Sequence, residues 1–225
     1  MKNRKITTVL LAAAMAITLA ACDVKDKEYV YGDFTGTYSG EWSGGKPDGA
    51  GSFEGEADNW NLSITGTWEN GELVSAANYV KESSDGDEFI FKDFQYKNGK
   101  WYGTGHFEKI TSSMNVYYDG EISESKYNGK GRIKIVTDEM TYSYEGEFVN
   151  DEKHGTGTGT FESNGEKEIF VGEFVNDTEY NGTYTYYYSD GTTETGVVEN
   201  GKYSSDFKKK ATGLLDDVLN ALFGD

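Results

Sequence analysis

Four glutamates, Glu41, Glu121, Glu147 and Glu173, occupy one position of a recurring phrase: aromatic, any residue, glycine, glutamate, apolar residue. Two carboxylates flanking a bond are the residue set for glycoside hydrolysis, and equivalent glutamates two strands apart recur about every 9.6 Å. That step touches the separation used by inverting enzymes. Equivalent positions in a repeat, however, have no differing surroundings to push one pKa up and the other down, and acid–base pairs depend on that difference. Divalent cation binding would need the carboxylates to converge. The four glutamates therefore read as a polar, solvated candidate binding face with no catalytic or metal residues assigned.

Other sequences with chemical connotations are weaker. Gly155-Thr156-Gly157-Thr158-Gly159-Thr160 has the glycine density of a phosphate loop without the closing Gly-Lys-Ser/Thr, and it lies within a strand pattern. His106 and His154 have no neighbouring nucleophile with an orienting acid, so both read as structural or surface residues. Ser83-Ser84-Asp85-Gly86-Asp87-Glu88 lacks the twelve-residue spacing of a calcium loop and reads as a turn. No cofactor is expected.

Composition narrows the setting. The chain has 225 residues, 29 glycines, one proline, 17 Tyr, 12 Phe and 4 Trp, a pairing that favours turns and strands. With 21 Lys and Arg against 39 Asp and Glu, the net charge is −18. Nucleic acid and anionic headgroups are repelled by such a chain. A single cysteine and two separated histidines give neither an internal disulfide nor a zinc site.

That cysteine, Cys22, follows a basic start (Lys2, Arg4, Lys5), an uncharged apolar run from Ile6 to Ala20, and Leu19-Ala20-Ala21. The run is short for a membrane span and suits the h-region of a signal peptide. The segment resembles a bacterial lipoprotein signal peptide, residues 1–21. This implies cleavage before Cys22 and acylation of its thiol by palmitate-type chains, which anchor the protein to a membrane on the extracytoplasmic side. The mature chain then carries about −21 and has no free thiol for catalysis. Residues 22–36, from the lipid site through Asp23 to about Thr35, read as a polar tether spanning roughly 40 Å.

The body, residues 37–205, is a repeat. Anchors fall at Gly40, Gly66, Phe94, Gly120, Gly146, Gly172 and Gly196. A Gly-x-Gly follows four of them at one offset: Gly49/Gly51, Gly103/Gly105, Gly129/Gly131 and Gly155/Gly157. Turn dipeptides such as Asn70-Gly71, Asn98-Gly99, Asn150-Asp151 and Asn176-Asp177 accept the positive φ of tight hairpins. Each copy is then one hairpin, and the whole an antiparallel meander of roughly fourteen strands. Alternation puts Tyr38, Gly40 and Trp42 on one face and Ser39 and Glu41 on the other. The glycine leaves room for a ring, and Phe53, Phe107, Ile133 and Tyr79 are expected to meet first-strand aromatics across the sheet.

The phrase with its Gly-x-Gly resembles the MORN repeat (membrane occupation and recognition nexus) over residues 38 to about 203. The resemblance implies an all-β fold, an elongated single-layer antiparallel sheet of stacked hairpins, used for recognition or scaffolding. Residues 206–225 change period: Leu214, Leu215, Val218, Leu219, Leu222 and Phe223 predict a short C-terminal amphipathic helix. The expected function is a lipid-anchored, extracytoplasmic, non-catalytic surface for an unidentified protein or glycan. An envelope polysaccharide enzyme using paired carboxylates, or a structural spacer, are the alternatives.

Overall fold

A computed structural model describes residues 23–204. The signal peptide expected over 1–21, Cys22 and the C-terminal helix predicted for 206–225 lie outside the described residues.

Those residues form one antiparallel sheet of sixteen strands. In chain order they are β1 Asp23–Tyr31, β2 Phe34–Ser43, β3 Lys46–Ala57, β4 Trp60–Glu69, β5 Glu72–Ser83, β6 Glu88–Lys92, β7 Phe94–Lys97 and β8 Lys100–Ile110. There follow β9 Asn115–Ser123, β10 Lys126–Val136, β11 Met140–Val149, β12 Glu152–Ser163, β13 Glu166–Val175, β14 Thr178–Tyr187, β15 Thr193–Glu199 and β16 Lys202–Tyr203. Each strand pairs with its sequence neighbours, except that β6 and β7 share one lane between β5 and β8. The stacked meander expected from the repeat is thus the fold.

The count differs from the expected fourteen for two local reasons. Asp23–Tyr31, read from its charges as a tether, pairs with β2 along its length. Its alternate residues Tyr29 and Tyr31 explain this: Tyr31 packs edge-on to Trp68 at 5.0 Å, and Tyr29 to Trp42 at 5.9 Å. In the third copy Asp93 adopts a positive φ of 64° and splits the lane into β6 and β7. Phe94, in the anchor place, then pairs with Ala76.

The turns behave as their dipeptides demand. Asn70-Gly71, Asn98-Gly99, Asn150-Asp151 and Asn176-Asp177 all have positive φ at both residues, as type I′ hairpins need. Glu124-Ser125 does the same without a favourable residue type, and no sequence signal marks it. These turns also join one copy to the next. Ser125, Asp151 and Asp177 donate their backbone N–H groups to the carbonyls of Trp101, Tyr127 and Lys153 at 2.9–3.0 Å. Side chains reciprocate: Ser125 Oγ, Asp151 Oδ1 and Asp177 Oδ1 accept from the N–H groups of Trp101, Tyr127 and Lys153.

One face holds the core, including Tyr38, Phe53, Ile64, Trp68, Tyr118, Tyr144, Phe170 and Tyr184, all essentially inaccessible. The expected cross-strand pairs form: Tyr38 with Phe53, Phe107 with Tyr118, Ile133 with Tyr144 and Tyr79 with Ile64.

Candidate functional site

The repeat phrase proves to be a closed local unit. Gly105, Gly120, Gly131, Gly146, Gly157, Gly172 and Gly182 pair in sequence across seven strands, β8 to β14. Over this row lie rings from the same strands, two residues before the anchor. A Cβ on Gly51, Gly131 or Gly157 would come within 3 Å of Tyr38, Tyr118 or Tyr144 respectively. The expected guest ring from a neighbouring strand is found at the Gly-x-Gly glycines and corrected at the anchors: Gly51, Gly131 and Gly157 seat the neighbouring strand's tyrosine, while Gly40, Gly120 and Gly146 face the hydroxyl of the tyrosine on their own strand. Each tyrosine donates its hydroxyl to the carbonyl of the phrase glutamate, Tyr38 to Glu41, Tyr118 to Glu121 and Tyr144 to Glu147, at 2.7–3.1 Å.

The glutamate side chains point to the other, exposed face. There Glu41 Oε1 accepts from the Ala50 N–H at 3.2 Å and Glu121 Oε1 from the Lys130 N–H at 3.1 Å. Both amides belong to the residue inside Gly-x-Gly, at the bulge where register shifts. The first glycine of each pair takes a positive φ, 113° at Gly49, 79° at Gly129 and 61° at Gly155, which the bulge requires. A Cβ there would run into the carboxylates of Glu41, Glu121 and Glu147. In the third copy, which has Gln95 in place of the glutamate, Gly103 has open space. Glu173 accepts from Asn181 Nδ2 at 2.9 Å. At least Glu41 and Glu121 thus brace bulge amides, while all four remain exposed.

Side chains without such a duty gather one row away. His106, Asp119, Arg132 and Glu145 stand opposite one another on β8, β9, β10 and β11, and the row continues as Thr158, Val171, Thr183 and Val197. His106 Nδ1 lies 2.7 Å from Asp119 Oδ1, and its Nε2 lies 2.8 Å from Glu108 Oε1. Arg132 Nη2 donates to Asp119 Oδ2 at 3.3 Å, and Lys92 Nζ stands 3.7 Å from Glu108. Beside this network a groove runs between Arg132 and Lys134 on one side and Ser143, Thr160 and Lys167 on the other. No sequence period marks it, because these residues come from four strands, β10 to β13. Thr160 of the glycine-rich stretch lines its wall as a strand residue on β12. Among the described residues, no three His, Asp or Glu side chains converge for a metal ion.

Both ring nitrogens of His106 face carboxylates. Burial opposes the charged ring, but the bonds to Asp119 and Glu108 outweigh it, so the His106 pKa lies above its ordinary value. Burial likewise works against ionised Asp119, yet His106 and Arg132 hold its pKa below the usual carboxylate range. A raised histidine pKa stabilises the fold fully below the unfolded value, about 6.5, and the gain is lost as pH rises through the folded value. Wild type should therefore lose up to about 3 °C in Tm between pH 6 and pH 8 through this residue, its part exposure limiting the effect. In His106→Gln that portion of the pH dependence should vanish; melting curves at the two pH values in both proteins check it.

The family model of the MORN repeat matches residues 38–56, 118–135 and 144–166, within the first, fourth and fifth copies. No curated protein matches the chain. The chain thus contains MORN repeats, built as stacked β-hairpins.

Proposed function

We propose that this MORN-repeat protein is a lipid-anchored, extracytoplasmic and non-catalytic binding surface, held to a bacterial membrane through acyl chains on Cys22. The observation that carries the binding role is the groove beside Arg132, whose walls alternate cations, carboxylates and hydroxyls. Neighbouring strands set these groups about 4.8 Å apart, a polar grid suited to a protein segment or a glycan. The phrase glutamates support the non-catalytic reading, since the clearest of them serve backbone amides. Arg132 supports binding: its side chain is 63% exposed and its guanidinium makes one bond, to Asp119, so donors remain for a ligand.

Two measurements test this. Cys22→Ser should abolish labelling by a fatty-acid probe and release the protein from membranes; an unlabelled wild type or a membrane-bound variant refutes the anchor. Capture of an envelope protein or glycan by the mature chain should fall at least about tenfold in Arg132→Ala with Tm unchanged, as loss of a charged hydrogen bond predicts. Polysaccharide hydrolysis that disappears in Glu147→Gln would establish the enzyme reading instead.

A further inference from the structure

The groove beside Arg132 distributes charge and hydrogen-bonding groups unlike the rest of the chain. Lys134, Ser143 and Thr160 stand opposite one another on β10, β11 and β12, and Tyr117 of β9 closes the row at its other end. Arg132 lies two residues before Lys134 on the same face, and the row on the far side runs from Thr141 through Glu162 to Lys167. Strand geometry makes this a floor about 14 Å across β9–β12 and about 13 Å along the strands. It underlies a space of about 560 Å³, within the range of ligand sites.

Its lining carries three cations, Arg132, Lys134 and Lys167, against two carboxylates, in a chain where 39 Asp and Glu outnumber 21 Lys and Arg. Both carboxylates are already engaged: Asp119 by Arg132 and His106, and Glu162 by Lys167 at 2.7 Å. Among the described residues Lys134 forms no ion pair, and the hydroxyls of Thr141, Ser143 and Thr160 form no hydrogen bond. One positive charge and several donors and acceptors thus stand open at the centre of the floor. Taking the groove as the binding surface, on which this inference rests, we propose that its ligand is a glycan bearing carboxylates of the uronic-acid type, with one carboxylate seated between Lys134 and Arg132.

A glycan suits this floor better than a peptide. Strands β9–β12 are interior and paired on both sides, so an extended peptide finds no free backbone edge to join. The lining also lacks an aliphatic pocket for the anchor side chain on which protein interfaces depend. Sugar hydroxyls both donate and accept, as the Ser and Thr hydroxyls facing them do. Tyr117, half-buried, offers ring surface to the apolar C–H face of a sugar. Charge selects the acid. A carboxylate brings one negative charge, which matches the excess cation, and a guanidinium pairs it through two donors. A phosphate ester, at about −1.5 to −2, overshoots that excess and is repelled by Asp119 and Glu162.

Calorimetric titration of the intact protein with trigalacturonate, maltotriose and a triglutamate peptide tests this. Trigalacturonate should bind saturably and weaken as salt rises, with maltotriose and triglutamate at least about tenfold weaker. Lys134→Gln should lower trigalacturonate affinity at least about tenfold with Tm unchanged, and Ser143→Ala about threefold. Equal binding of maltotriose or of triglutamate overturns the proposal, as does an affinity unchanged in Lys134→Gln. Should trigalacturonate fail to bind while capture of an envelope protein still depends on Arg132, the glycan assignment falls and the binding surface stands. Absence of both binding events removes both.

Discussion

Gly146→Val should lower stability by about 3 kcal/mol, a fall of roughly 6–12 °C in Tm for a chain of this size. A Cβ at Gly146 would stand 2.6 Å from Tyr144 Cζ and 2.8 Å from Gly157 Cα, and it would overlap the Tyr144 hydroxyl. Neither neighbour can yield. The Tyr144 ring is fully buried between Phe148 at 5.1 Å and Phe174 at 4.9 Å, and Gly157 is ladder backbone. Moving the ring also breaks its bond to the Glu147 carbonyl, a further loss of about 1 kcal/mol. Glu147→Gln, on the exposed face, should change stability by no more than about 0.5 kcal/mol. Urea melts of the two variants check the assignment of faces; the reverse ranking would overturn it.

Asp177→Ala should cost about 2–3 kcal/mol, and more than the equivalent Asp151→Ala. Both aspartates end a type I′ turn at positive φ and accept a backbone N–H from the preceding copy, so both variants lose that bond and gain strain. The difference lies in the residue being latched. At Asp151 it is Tyr127, at Asp177 it is Lys153, whose side chain is 5% exposed with Nζ 3.2 Å from Asp177. Removing the carboxylate strands a buried ammonium, which keeps the Tyr142 ring face at 5.4 Å as partial compensation. Water reaches Asp177, 43% exposed, and this keeps the cost below that of a fully buried pair. In Asp177→Ala/Lys153→Met the extra cost over Asp151→Ala should disappear; a double variant as unstable as Asp177→Ala would show that the ammonium is not its source.

The repeat, the all-β class, the turn positions and the two faces were legible in the residues, because each rests on local stereochemistry. Asn-Gly and Asn-Asp pairs accept positive φ wherever they stand, and alternation fixes which side chains share a face. The strand at Asp23–Tyr31 escaped because its charges outnumber its aromatics, while its pairing depends on Tyr29 and Tyr31 reaching Trp42 and Trp68. Glu124-Ser125 escaped because the stacked copies impose its conformation against its own preference.

The phrase itself was visible in the sequence, but its meaning was not. Spacing alone shows that a tyrosine, a glycine and a glutamate recur together. That the ring also covers the glycine of the partner strand, and that Glu41 and Glu121 reach back to a bulge amide, follows from the register between paired strands. The same holds for the row His106, Asp119, Arg132 and Glu145. Its members lie 13 residues apart in chain order and become neighbours through antiparallel pairing. Sequence determines the period of a stacked sheet because the period is local geometry repeated. Tertiary pairing alone decides which irregular residues of different copies meet, because these contacts run across the strands rather than along them.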